Sequence, residues 1–447
     1  MTDSTDTQLA QWRRYLAADR SLATADLDEL ESHLRDRIDD LEAVGLSDEE
    51  AFLIAVRRLG RVDELSREYA REHSERLWKQ LVLGGDPAAA STSSGAVAVA
   101  FAVLAAFVVK LPWLLGAPAD VGLRNAPLLL LGVLAAYFLV RAGGPRPSVA
   151  IAVVGFAGAA ALVNGYPLDP GSDTLVLTVL HITAALWLIV GVTYVEGRWR
   201  SGRARMDLIR FTGEWVIYLA LIALGGAVLT ALTLGVFAAI GMDAGSFVVD
   251  WLLPCGAAGA TVVAAWLADA KKSVIENMAP VLTAVFSPLF TAMLAAFVVA
   301  AAVQGAAGVS LLDTHREVLI VFDATLIVVL ALLLYTISAR EASTRARWFD
   351  ALQLAMILAA LVVDLLVLSA MVGRIGVFGA SPNKVASLGL NVLLLVNLAG
   401  AGWLQLGFLR GRRTHGVLER WQTAYLPVYF VWCVVVAAVL PPLFGFA

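Results

Sequence analysis

The chain has 447 residues, of which 59% are hydrophobic and 16% charged, and its mean hydropathy is +0.77. Ordinary soluble domains carry about 25% charged residues, so this composition excludes a single water-soluble globule, and its repeated apolar runs are long enough to cross a hydrocarbon layer of about 30 Å. The formal net charge of −4 averages two unlike parts: residues 1–80 hold 12 Lys+Arg against 19 Asp+Glu, whereas the chain from 93 onward holds 21 against 17. An acidic head is a poor ligand for nucleic acid or an anionic membrane surface and suits contact with a protein partner.

The first 20 residues contain no apolar stretch of signal-peptide type, so insertion is expected to be directed by the first spanning helix. Residues 8–80 predict about four amphipathic helices. In the second, Leu27, Leu30, Leu34, Ile38, Leu41 and Val44 share one face at three- and four-residue spacing. Gly45 ends that helix, and Ser47 with Glu50 forms a capping box for the third, whose inward residues are Phe52, Ala55, Val56 and Leu59. Gly60 closes it. A fourth helix over 62–81 turns Leu65, Tyr69 and Leu77 inward. Residues 1–83 thus predict a helical domain and 84–94 a linker of breaker residues, with the remainder, 95–447, in the membrane.

The segments ELESHL from Glu29, GLSDEEAF from Gly45 and RRLGRVDEL from Arg57 resemble the permease prefix domain, which is related to HAAS-type helical domains. Arg61 and Val62 stand where members commonly carry Asp-Pro. The resemblance covers residues 25–73 and implies a cytoplasmic regulatory or interaction module without catalytic residues. A solvated helical cap that assists folding is the alternative.

Eleven spans are expected: 95–116, 126–140, 148–163, 175–195, 215–240, 247–267, 281–303, 318–337, 352–372, 386–409 and 425–444. The second and third are short and rich in Gly and Ala, so a re-entrant pair and ten spans is the alternative. The alternation places 16 Lys and Arg in the turns of one side and only Arg124, Arg316, Arg374 and Lys384 in those of the other. Such a bias over short loops marks the basic side as cytoplasmic. The expected location is a bacterial cytoplasmic (inner) membrane, with the N-terminus inside and the C-terminus outside. Trp199, Trp215, Trp348 and Trp421 fall at inner ends, and Trp113 and Trp251 at outer ends.

Ionisable residues within a bilayer are costly and therefore informative. Lys110, His181, Asp250, Asp323, Asp364 and Asn391 all fall in the outer half of the expected spans. One expectation is a shared, outward-opening cavity that binds a cation, a proton or a small polar substrate; the other is a structural ion pair of Lys110 with Asp323 or Asp364. Pro254 and Pro288 are expected to interrupt spans six and seven, and Gly225, Gly226, Gly256 and Gly259 to let helices approach closely. Cys255 and Cys433 lie in apolar runs at no metal-ligand spacing, so neither a metal site nor a disulfide is expected.

No phosphate loop, His-Glu-x-x-His pair or Gly-x-Ser-x-Gly elbow occurs, and no cofactor is implied. An intramembrane aspartyl protease would use Asp323 and Asp364 as a proton-sharing dyad, but the Gly-x-Gly-Asp signature of that class is absent. The Gly213–Tyr218 run (GEWVIY) and the spacing of later spans resemble an uncharacterised family of bacterial polytopic membrane proteins, which implies no activity; Glu214 there is expected to pair with Arg210. Three functional classes follow: a permease- or channel-like protein regulated by its head, a signalling or scaffold protein whose head binds a partner, and a membrane enzyme.

Overall fold

A computed structural model of the chain describes residues 87–270, 278–306, 316–338 and 348–446, together with nine positions between Glu31 and Ala55. The chain divides into two compact units, Met1–Gly95 and Ala96–Ala447. In the first, the nine described residues are helical. Leu34, Ile38, Ala51 and Ala55 are fully buried, and Glu31 pairs with Arg35 one turn on. Leu34, Ile38 and Ala55 are among the residues the periodicity turns inward. The capping box, both glycine stops, the fourth helix and the RRLGRVDEL segment lie outside the described residues.

From Pro87 onward the described residues form a bundle of eleven long helices: α1 (Pro87–Leu114), α2 (Ala119–Arg141), α3 (Arg146–Gly165), α4 (Asp173–Tyr194), α5 (Gly202–Ala239), α6 (Gly245–Ala270), α7 (Met278–Ala306), α8 (Arg316–Ser338), α9 (Trp348–Phe378), α10 (Pro382–Leu409) and α11 (Gly416–Ala438). Every one is long and apolar enough to cross a membrane, and no strand occurs among the described residues. The chain is an all-α polytopic membrane protein.

Several boundaries differ from expectation for physical reasons. α2 and α3 run to 23 and 20 residues, about 30 Å or more at 1.5 Å per residue, so each is long enough to cross a bilayer. Apolar counting clips α2 because Asp120, Arg124 and Asn125 occupy its first turns. α1 begins at Pro87, so 87–94 of the expected linker is helical; proline suits a first helical position, and the alanines after it are the strongest helix formers. α5 begins 13 residues earlier than its apolar run, because Met206, Leu208, Ile209 and Phe211 are buried among its arginines. α11 stops at Ala438, and only a single turn, Leu440–Leu443, forms over the Pro441–Pro442 pair.

Contacts between helix ends establish the alternation. Asn125 and Asn164 exchange hydrogen bonds of 2.9 Å, Tyr166 donates to Ala438 O, and the Trp113 and Trp251 rings meet edge to face. These gather the end of α1, the starts of α2 and α6, and the ends of α3 and α11 at one face. At the opposite face Arg141 pairs with Asp269, Arg210 donates to Ser338 O, and Gln405 donates to Asp350 O. The second is the arginine-rich end, the first the arginine-poor end.

Two large apolar cores fill the bundle, beside two smaller clusters, one joining α1, α2 and α6 and the other joining α4, α10 and α11. The first core joins α2, α3 and α4 with the start of α5 and the end of α6, and its centre is the aromatic group Tyr137, Phe138, Tyr194 and Phe211. The second core joins α8, α9 and α10 around Leu326, Leu333, Met356 and Leu398. The first turns of α5 serve both, Leu208 and Phe211 packing in the first core and Met206 and Ile209 in the second. α11 crosses likewise, from Leu418 in the second core to Ala437 in the first.

The close-approach glycines are not those expected. Gly225, Gly226 and Gly256 have nothing within 4 Å of an added Cβ, and Gly259 makes only an ordinary contact with Ala102. Tight positions include Gly191, at 2.3 Å from Leu208, and Gly155, at 2.4 Å from Ile189, and, against aromatic rings, Gly389, whose Cβ would lie 2.0 Å from the Trp432 ring, Gly400, at 2.2 Å from Trp421, and Gly213, at 2.6 Å from Tyr335. Large rings seat on the last three glycines, a pairing that glycine spacing within one helix does not reveal.

Candidate functional site

The six polar residues singled out above fall into three places rather than one. Lys110 and Asp250 form the first. Pro254 has no N–H to give the carbonyl four residues before it, which is that of Asp250, and the helix responds with a π-turn over Val248–Leu252. Lys110 Nζ donates to this carbonyl and lies 4.6 and 4.8 Å from the Trp113 and Trp251 rings. The lysine is thus held by a freed backbone oxygen and two indole faces, not by Asp323 or Asp364. The Asp250 carboxylate is exposed and plays no part in the contact. The interruption of span six is this π-turn, whereas Pro288 sits inside an unbroken α7.

Asp323, Asp364 and Asn391, from α8, α9 and α10, form the second place. Asn391 Nδ2 donates to Asp323 Oδ1 at 2.8 Å, and also meets Ser387 O at 3.0 Å and Met371 Sδ at 3.6 Å. Ser387, one turn before Asn391, also lies close to Asp323. Asp364 is 0% exposed, lies within electrostatic range of Asp323, and has no hydrogen-bond partner on either carboxylate oxygen among the described residues. Asn391 Oδ1 is buried and equally unpartnered. A buried carboxylate without donors is costly while it stays charged, and Asp364 is such a group.

His181, alone on α4, is the third. Its Nδ1 meets Leu177 O at 2.8 Å, which leaves Nε2 as the ring's other hydrogen-bonding position. His181 and Asp323 stand in the walls of one cavity of about 1830 Å³ between the two cores. Its floor includes Trp187 and Trp215, its walls are mainly apolar, and Arg124, Arg374 and Lys384 lie at its arginine-poor end. Asp323 thus links the buried Asp364–Asn391 group to the cavity.

Ser387, Met371 and the basic rim are additions to the residues found by sequence. Ser387 stands four residues before Asn391, a spacing that puts both on one helix face. Arg124 reads in the sequence as a loop charge but lies in the second turn of α2, with Nε buried and unpartnered. Arg210 donates to Ser338 O at 2.6 and 3.2 Å, and Glu214, one turn on, is buried. Deeper toward the arginine-rich end, Asn397 and Gln422 exchange reciprocal hydrogen bonds that join α10 to α11, a tie of the kind that holds membrane helices together. No group of three or more His, Cys, Asp or Glu with metal-binding geometry occurs among the described residues.

No family model, no curated protein and no solved structure matches the chain.

Proposed function

We propose that the protein is permease-like: two helical lobes enclose a binding cavity that is entered from the arginine-poor end, and the Asp323–Asn391–Asp364 group carries the coupling proton or cation. The observation that carries this reading is the cavity of about 1830 Å³ between separately packed cores, with Asp323 in its wall. Lobes with their own cores can rock as bodies, and many transporters move one bundle against another around a fixed central site. α5 and α11, which pack in both cores, are the hinge elements of this scheme. The bias of 16 basic residues to 4 supports a cytoplasmic arginine-rich end, and with it a bacterial cytoplasmic membrane. The resemblance of residues 25–73 to permease prefix domains supports a regulatory role for the N-terminal unit and a protein partner there.

The test is two-sided labelling. In a Cys255→Ala, Cys433→Ala background, a cysteine at Leu390 in the cavity wall should react with an impermeant maleimide on intact cells. A cysteine at Thr212, on the cavity floor, should react in inverted membrane vesicles, and Asp364→Asn should change the ratio of the two reactions. A Leu390→Cys variant that stays unlabelled on intact cells, or a Thr212→Cys variant that never reacts in vesicles, overturns alternating access.

A further inference from the structure

The cavity's size, lining and rim together define a class of occupant. Its volume of about 1830 Å³ is well above the roughly 300–1,000 Å³ of pockets for small ligands. Its walls are set by side chains such as Leu180 on α4, Ile327 on α8 and Leu390 on α10. Leu180 is 64% and Ile327 47% exposed, so apolar wall remains for an occupant to cover. Water is a poor filler for such a space, because it needs two to four polar partners. Hydrocarbon needs none.

The polar groups are not spread evenly. Arg124 lies in the second turn of α2, Arg374 in the last turns of α9 and Lys384 in the first turn of α10. All three line the cavity at its arginine-poor end, against one carboxylate there, Asp120. These three are most of the four basic residues that the sequence assigns to that side of the bundle. Positive charge is scarce at this end and is concentrated on the mouth of an apolar chamber. Arg124 Nε is buried without a hydrogen-bond acceptor, which leaves it a donor for an anionic group. Asp323 stands further in, in the α8 wall, where it repels a second anion and restricts the interior to chains.

We infer that the cavity binds an acidic phospholipid of the bilayer, with the phosphate headgroup at Arg124, Arg374 and Lys384 and the acyl chains lying between α4 and α8 toward Trp187 and Trp215. This rests on the permease reading only for the consequence that the lipid is cargo; the binding site itself stands without it.

The experiment uses the full-length protein, delipidated in a neutral detergent and examined by native mass spectrometry. It is titrated with phosphatidylglycerol, with phosphatidylcholine of the same chains, and with inorganic phosphate. Each basic side chain near a lipid headgroup favours binding several-fold, so one phosphatidylglycerol is expected to be retained at least about tenfold more tightly than phosphatidylcholine, with inorganic phosphate failing to displace it. The triple variant R124Q/R374Q/K384Q should lose on the order of a hundredfold in retention, and Leu180→Trp, which narrows the gap between α4 and α8, should weaken it with the rim intact. Lys384→Gln alone, a mild surface change, should lose several-fold and serves if the triple variant does not fold. Arg198→Gln, at the other end of the bundle, should change nothing. Equal retention of the two lipids, an unaffected Lys384→Gln, or displacement by inorganic phosphate overturns the proposal. Lipid retention without two-sided labelling would remove the permease and keep the site; labelling without retention would do the reverse.

Discussion

Removing the Lys110 side chain tests the local account most sharply, because the structure says why the lysine is there. Its ammonium satisfies the Asp250 carbonyl, which Pro254 deprives of a helical donor, and faces the rings of Trp113 and Trp251. A hydrogen bond from a charged donor contributes about 1.5–3 kcal/mol. Each indole contact adds about 0.5–2 kcal/mol. Against this, a charged side chain in a spanning helix costs up to about 3 kcal/mol, and less near a helix end. Lys110→Met should therefore destabilise the fold by about 2–4 kcal/mol after that offset. Pro254→Ala restores an N–H that can serve the same carbonyl. On that background the lysine loses its main partner, and Lys110→Met should be less damaging by about 1–2 kcal/mol. The assay is a double-mutant cycle on unfolding in mixed micelles, followed by tryptophan fluorescence. Equal losses in both backgrounds, within about 0.5 kcal/mol, would refute the claim that lysine and proline are two halves of one arrangement.

Three further outcomes follow from the packing. Gly389→Ala and Gly400→Ala force a methyl into the Trp432 and Trp421 rings and should each lower stability by about 1–3 kcal/mol, whereas Gly225→Ala, in open space, should be neutral or slightly stabilising; thermal unfolding in detergent separates the two groups. Asn391→Leu removes the donor to the buried Asp323 carboxylate and should cost about 3–5 kcal/mol, measured the same way, with Asn391→Gln recovering part of the loss. Arg141→Gln breaks the ion pair with Asp269, whose two side chains are 37% and 17% exposed; an accessible pair of this kind is worth at most about 1 kcal/mol, so the variant should unfold within a few degrees of the parent.

Much of the architecture is legible in the sequence because hydrocarbon permits little else. A spanning segment must satisfy its own backbone hydrogen bonds, so long apolar runs become helices. The eleven helices correspond to the eleven runs, with the errors at ends where charge and apolar residues mix, as in the MDLIRF stretch of α5 that supplies Met206 to one core and Phe211 to the other. The site was legible in depth but not in azimuth. Hydropathy places Lys110, Asp323 and Asp364 at similar levels, yet says nothing of which helices adjoin. Only the packing of α8, α9 and α10 brings Asp323, Asp364 and Asn391 together, while α1 carries Lys110 to α6. The tight glycines escaped for the same reason: Gly389 matters because Trp432 on α11 rests on it, and neither residue signals the other along the chain.

A cryo-EM density map of the protein in lipid nanodiscs would show whether the two large cores leave an open chamber between α4 and α8. Two large cores that both engage α5 and α11 are expected, with elongated density between Leu180 and Ile327 that ends beside Arg124 and Lys384. A map in which α4 and α8 pack against each other along their length, with Asp323 sealed from any cavity, would contradict that arrangement.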